Sequence, residues 1–61
     1  MATLKYNIYK QLYNEKGYCY SEKLVATFYN EELANRVYEQ LVKQDMLHEE
    51  IDYRWEEKEE H

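Results

Sequence analysis

This chain of 61 residues has no proline, one glycine and one cysteine. It therefore nearly lacks the residues that interrupt helices and strands or form disulfides. Because there is no proline-rich or glycine-rich stretch, we expect one domain without a linker. A single cysteine excludes an internal disulfide. No apolar run resembles a signal peptide or is long enough to span a bilayer. We therefore expect a cytoplasmic protein without a membrane segment.

Basic residues are also scarce, since thirteen Asp and Glu residues outnumber eight Lys and Arg residues and leave a net charge of −5. A negatively charged chain repels nucleic acids and anionic membranes. A chain this short buries only a small core and has no room beside it for a deep pocket. We therefore expect a protein that is not an enzyme and has no cofactor. Self-association as a homodimer would add buried surface.

The residue in excess is tyrosine, with eight copies, most of them in two predicted strands. Residues 3–13 and 18–29 alternate between apolar and polar side chains, which is typical of β-strands. Between them, Asn14 followed by Gly17 favours a three-residue hairpin loop with Gly17 in the left-handed conformation. This loop predicts the register of the hairpin, with Leu12 opposite Tyr20, Lys10 opposite Glu22, Ile8 opposite Leu24, Tyr6 opposite Ala26 and Leu4 opposite Phe28.

The second half of the chain predicts a helix followed by a short strand. Asn30 is a favourable N-cap, and apolar residues recur at helical spacing within residues 31–46. Residues 51–56 alternate again and predict a third strand. Residues 57–61 form a predicted charged tail, which we expect to fray. Its last residue, His61, is either native or the remnant of a purification tag, and the sequence does not decide between the two.

This order of elements predicts a single α+β domain over residues 1–61, with two layers and ββαβ topology. A third strand beside the second would be parallel to it after a right-handed crossover, whereas beside the first it is antiparallel, which short folds accommodate more easily. We therefore predict the sheet order 2-1-3 with the helix on one face. The predicted core consists of Leu4, Tyr6, Ile8, Leu24, Ala26, Phe28, Leu33, Val37, Leu41, Ile51, Tyr53 and Trp55.

The hairpin tip is predicted to extend beyond the helix, because a strand over residues 3–13 is longer than a helix over residues 31–46. Two apolar side chains near the tip, Leu12 and Tyr20, then lack cover from the helix. Either Met46 and Leu47 fold over them, or a partner molecule covers them.

The uncovered face of the sheet is the first candidate for a binding surface. It is predicted to display tyrosines beside basic side chains, and tyrosine is favoured at protein interfaces. The alternative is that aromatic residues simply suit strands and pack across the ladder. The predicted partner-binding residues on this face and at the tip are Tyr9, Tyr13, Tyr18, Lys23, Tyr29 and Arg54.

Other surfaces and chemistries are weaker candidates. The second strand has a mild edge that favours strand addition, whereas charged residues discourage pairing at the third. No pair of His or Cys residues has zinc-site spacing, so His48 is predicted to be an ordinary loop residue and no metal is expected. Cys19 has no predicted orienting group or oxyanion site, which disfavours nucleophilic catalysis.

The stretch Ala26-Thr27-Phe28-Tyr29-Asn30-Glu31-Glu32-Leu33-Ala34, set between a tyrosine-rich hairpin and a Tyr/Trp strand, is similar to many small phage and prophage proteins of low-GC Gram-positive bacteria. The resemblance covers nearly the whole chain and implies a protein that binds and inhibits or modulates a host protein. We therefore predict a non-catalytic protein-interaction module.

Two alternatives to this function stay open. The first is an acidic decoy that uses the helix and tail carboxylates to mimic nucleic acid toward a DNA- or RNA-binding protein. The second is a single-strand nucleic-acid binder that stacks bases on the sheet tyrosines. The net charge disfavours nucleic acid as a partner.

Overall fold

The structure, a computed structural model, describes residues 3–60. Its elements are β1 (Thr3–Tyr13), β2 (Cys19–Phe28), α1 (Glu31–Gln44) and β3 (Ile51–Glu60). The strands form one antiparallel sheet in the order β2-β1-β3, with α1 packed on one face. The predicted ββαβ fold with sheet order 2-1-3 is therefore confirmed. The prediction about His61 lies outside the described residues.

The hairpin loop between β1 and β2 has the predicted conformation. Gly17 has a φ of +84°, in the region that favours glycine. The Asn14 side chain accepts hydrogen bonds from the backbone N–H groups of Lys16 and Tyr18, at 2.9 and 3.0 Å. The backbone N–H of Asn14 also donates to the Tyr18 carbonyl at 2.9 Å. Together these bonds close the loop that the sequence predicts.

Beyond the loop, the register of the hairpin differs from the prediction. Tyr13 lies opposite Cys19, as the loop requires, but two bulges follow, and they leave Tyr20 and Val25 of β2 without an opposite residue on β1. Each extra residue shifts every later pair by one position. The predicted pairs are therefore wrong: Leu12 lies opposite Ser21, Lys10 opposite Lys23, Ile8 opposite Ala26 and Tyr6 opposite Phe28.

The first bulge exchanges the faces on which Lys23 and Leu24 lie. Lys10 lies opposite both Lys23 and Tyr53, and Tyr53 bonds to the helix, so Lys23 lies on the helix-bearing face. Leu24 lies opposite Tyr9 on the open face and is 55% exposed. The predictions that Leu24 is a core residue and that Lys23 joins the open face are therefore wrong.

β3 is longer than predicted, because it pairs with β1 along its whole length. Ten consecutive residue pairs run without a bulge from Leu12–Ile51 to Thr3–Glu60. The rings of Tyr6 and Trp55 lie 5.9 Å apart on the helix-bearing face, and Lys5 and Glu60 form a 3.9 Å ion pair. Residues 57–60 therefore belong to the sheet, and the prediction of a frayed tail is wrong for them.

The helix begins where the sequence predicts. Asn30 has an extended backbone, and its side chain accepts a hydrogen bond from the Leu33 amide at 3.1 Å. Glu31 and Glu32 occupy the first turn, where the helix dipole favours acids. The helix ends at Gln44, short of the predicted Met46, and Asp45 follows as its C-cap.

The hydrophobic core is smaller than predicted. Among residues 3–60, only four apolar side chains are buried, and these are Tyr6, Ile8, Ala34 and Tyr53. The predicted core residues Leu4, Leu24, Leu33 and Trp55 are exposed, and Ala26, Phe28, Val37, Leu41 and Ile51 are half-buried. The reason is geometric, since a helix of 14 residues covers only part of strands of 10 and 11 residues.

The shape of the molecule reflects this thin packing. Its principal extents are 44 × 21 × 12 Å and its radius of gyration is 12.9 Å, whereas a compact chain of this length has a radius of about 10.5 Å. Its accessible surface is 4992 Å², about 700 Å² more than the roughly 4300 Å² expected for its mass. The isolated chain therefore leaves an unusually large surface in water.

Candidate protein-binding cleft

An open cleft of about 1050 Å³ lies at the tip end of the sheet, between the hairpin tip and the connection from α1 to β3. Its floor is apolar and its rim is acidic. The floor is formed by Tyr20, Val42, Met46, Ile51 and Tyr53. The rim carries the carboxylates of Glu15, Asp45, Glu49, Glu50 and Asp52. We call this feature the tip cleft.

The apolar floor of the tip cleft faces water. Tyr20, the extra residue of the bulge next to the loop, is 66% exposed. Met46, which follows the helix, is 71% exposed, and the neighbouring Leu47 is 90% exposed. Of the two predicted alternatives, Met46 and Leu47 therefore do not fold over the hairpin tip, and the apolar surface there is open.

The back wall of the tip cleft is held by hydrogen bonds between tyrosines and the end of the helix. The hydroxyl of Tyr53 donates to the Asp45 carboxylate, and the hydroxyl of Tyr38 donates to the Tyr53 carbonyl at 3.1 Å. Burial, followed by the hydrogen bond to Asp45, raises the pKa of Tyr53 to about 12. Tyr53 therefore stays protonated and keeps the end of α1 fixed against β3.

The connection that forms one wall of the cleft is held by backbone hydrogen bonds. The Tyr13 amide donates to the Glu50 carbonyl at 2.8 Å and ties the connection to β1. Within the connection, the His48 amide donates to the Asp45 carbonyl at 3.0 Å, and the Ile51 amide donates to the His48 carbonyl at 3.2 Å. The exposed apolar side chains of this segment are therefore presented from an ordered backbone.

The ionisable side chains that line the tip cleft are mostly acidic. All of the residues that line it belong to the described range, and none of them is lysine or arginine. Asp45 accepts the Tyr53 hydroxyl, and Glu50 lies 3.7 Å from the His48 imidazole, whose charge depends on protonation. The other rim carboxylates are exposed, so the cleft presents negative charge around an apolar centre.

The open face of the sheet has a different character, because its charges pair with one another. The Arg54 guanidinium lies 4.4 Å from the centre of the Tyr9 ring and forms ion pairs with Glu22 at 2.7 Å and Glu56 at 2.9 Å. Hydrogen bonds from Arg54 lower the pKa of both carboxyls, and the two carboxylates raise the pKa of Arg54. Gln11 also donates to Glu22, at 2.8 Å.

The six predicted binding residues do not form one surface. Tyr9, Tyr13 and Arg54 share the middle and the tip end of the open face, where Tyr13 donates to Gln11 at 3.1 Å. Tyr13 also lines the tip cleft. Tyr18 is exposed at the tip. Tyr29 lies at the other end of the sheet and donates to Glu60 at 3.4 Å. Lys23, as described above, lies on the opposite face.

One predicted alternative was that a partner covers the apolar surface at the hairpin tip, but that prediction did not include the acidic rim of the tip cleft. Ile51 was predicted to be a core residue, whereas it is half-buried and lines the cleft. The available signal was the apolar pair Met46-Leu47, which follows the helix at the end of the sheet where the hairpin tip lacks cover. The acids on either side of this pair indicate the rim.

Other kinds of site receive little support within residues 3–60. No group of three or more His, Cys, Asp or Glu side chains there is arranged to hold a metal ion. The helix in this part of the chain is too short and too polar to cross a bilayer. The Cys19 thiol is exposed and lies 3.5 Å from the Ser21 carbonyl oxygen.

Comparison of the chain with protein-family models, with curated proteins and with solved structures found no match in any of the three.

Proposed function

We propose that the protein is a small non-catalytic interaction module that binds another protein through the tip cleft. The observation that carries this proposal is the exposure of Tyr20 and Met46 in the apolar floor of the cleft, beside a connection whose backbone is ordered. Contiguous apolar surface of this kind typically marks a protein-binding site.

The size of the exposed surface supports the same proposal. The chain has about 700 Å² more accessible surface than a compact monomer of its mass. A standard protein–protein interface buries about 800 Å² on each partner. Binding of one partner would therefore remove an area comparable to the excess.

Side-chain contacts, rather than added strands, are the favoured mode of binding. β2 carries two bulges, which bend an edge away from a regular ladder. β3 carries Arg54 and Lys58 among its acids, and charges at an edge discourage pairing. Both edges of the sheet are therefore poor templates for strand addition.

The open face is the second candidate surface, since it carries Tyr9, Tyr13 and Tyr29. Its central charges are already paired through Arg54, however, so a partner would have to displace the bonds to Glu22 and Glu56. Displacement of paired charges costs free energy that an apolar cleft does not demand. We therefore favour the tip cleft over the open face.

Two other functions, a nucleic-acid mimic and a binder of single-stranded nucleic acid, are less favoured. The decoy hypothesis uses helix and tail carboxylates, but Glu56 and Glu60, near the end of the chain, already pair with cations. A nucleic-acid platform needs available cations beside its aromatics, and Arg54 and Lys58 pair with acids. Modulation of a bound host protein is the role implied by the resemblance to phage proteins.

A capture experiment with two double variants tests the proposed surface. Val42→Ser with Met46→Ser changes the cleft, and Tyr9→Ser with Tyr29→Ser changes the open face. The tagged proteins, each checked for folding by circular dichroism, are used to co-purify partners from the cells that make the protein. We expect one protein to be retained by the wild type and the open-face variant and lost by the cleft variant. Loss with the open-face variant alone would refute the proposal.

A further inference from the structure

We propose that the segment bound in the tip cleft is a basic amphipathic helix of the partner protein. This inference rests on the proposed function and adds the chemistry of the ligand. The apolar floor calls for apolar side chains on one side of the ligand, and the carboxylate rim calls for Lys or Arg residues beside them. A helix with an apolar stripe flanked by cations supplies both.

A helix fits this site better than a strand because the backbone at the cleft is not a regular ladder. The bulge at Tyr20 interrupts β2 at the cleft, and the Tyr13 amide is already bonded to the Glu50 carbonyl. Recognition must then depend on side chains, and insertion of apolar side chains from a helix into a groove is the side-chain mode.

Charge also distinguishes a foreign segment from a second copy of this chain. The chain carries a net charge of −5, and the cleft is lined by five acids without a Lys or Arg residue. Two acidic copies repel one another, whereas a basic segment is attracted at long range and held at the rim. We therefore commit to a basic segment of another protein, with self-association as an outcome of the test.

The probes are three synthetic peptides of equal length. Their binding to the full chain is measured by isothermal titration calorimetry. The first is an amphipathic helix of leucine and lysine, the second replaces each lysine with glutamate, and the third replaces each leucine with serine. We expect measurable binding for the leucine–lysine peptide alone. Equal binding of the lysine–serine peptide would show that net charge alone explains the binding, and it would overturn the inference.

Two charge variants with the same net charge locate the binding site. Glu49→Gln with Glu50→Gln removes charge from the rim, and Glu32→Gln with Glu39→Gln removes it from exposed helix positions. We expect the rim variant to bind the leucine–lysine peptide about 3- to 10-fold more weakly, with a smaller dependence on salt. The helix variant should stay within about twofold of the wild type. Equal weakening in both variants would overturn the inference.

The apolar contribution is tested with the cleft variant, Val42→Ser with Met46→Ser, which should lose binding of the leucine–lysine peptide. Peptide binding that survives in this variant would overturn the inference. Failure of the peptide to bind the wild type, combined with partner capture that depends on Val42 and Met46, would overturn this inference and leave the proposed function standing. A wild-type dimer in analytical ultracentrifugation that dissociates in the cleft variant would instead identify a second copy as the occupant.

Discussion

The hydrogen bond from Tyr53 to Asp45 gives a stability prediction that depends on pH. Folding raises the pKa of Tyr53 from 10.0 to about 12, because the hydroxyl is buried and also donates to the Asp45 carboxylate. The hydroxyl therefore stabilises the fold fully below pH 10, and this contribution is lost as the pH rises toward 12. The pKa difference corresponds to at most about 3 kcal/mol in the free energy of unfolding.

Replacement of Tyr53 with phenylalanine removes this hydroxyl while keeping the buried ring. Below pH 10, we expect Tyr53→Phe to be less stable than the wild type by about 1.5–3 kcal/mol, which is typical of a hydrogen bond to a charged group. For a domain of this size, that is a large part of a total of about 3–5 kcal/mol. The measurement is urea denaturation followed by circular dichroism at a series of pH values.

The pH dependence of the difference between the two proteins is the decisive quantity. Burial also raises the pKa values of Tyr6 and Tyr13, so both proteins lose stability at alkaline pH for shared reasons. The difference between them should shrink toward zero between pH 10 and pH 12. Tyr18→Phe, at an exposed position, is the matched control and should change the free energy of unfolding by less than about 0.5 kcal/mol. A difference independent of pH would refute the assigned role of the Tyr53 hydroxyl.

Three further predictions concern the sheet and its hairpin loop. Replacing Arg54 with methionine should reduce the loss of stability on acidification, because Arg54 lowers the pKa of two carboxyls below 4.5 and their contribution disappears as pH falls. Unchanged acid denaturation curves would contradict this reasoning. Ile8→Ala removes a side chain that is 0% exposed and should cost about 2–5 kcal/mol in urea denaturation, whereas Leu24→Ala should cost less than about 1 kcal/mol. Equal costs would instead favour the predicted register over the observed one. Gly17→Ala forces a side chain into the left-handed conformation and should lower the free energy of unfolding by about 1–2 kcal/mol, and an unchanged midpoint would refute that strain.

The local signals in the sequence were sufficient to predict the elements and their order. The Asn14–Gly17 loop and the Asn30 cap both form as predicted, because each depends on hydrogen bonds within a few residues. The sheet order followed from the preference of short folds for an antiparallel third strand beside the first. The loop and the cap depend on chemistry that one short segment carries by itself.

The register and the core were not predictable in the same way. Strict alternation in residues 18–29 predicts Leu24 in the core, and nothing local indicates that Val25 and Tyr20 are bulge residues. A bulge is favoured by the packing of the whole sheet, which a periodic pattern does not contain. The exposure of Trp55 likewise depends on how far the helix reaches across the sheet. The shape and the full lining of the tip cleft were not predictable, because they depend on both of these features.

The most direct test of the tip cleft is NMR chemical-shift mapping of the labelled protein on addition of the partner identified by co-purification. We predict that the largest amide shift changes occur at Tyr20, Val42 and Met46, with small changes at Tyr9 and Tyr29 on the open face. Shift changes concentrated at Tyr9 and Tyr29, with Val42 and Met46 unaffected, would contradict the account.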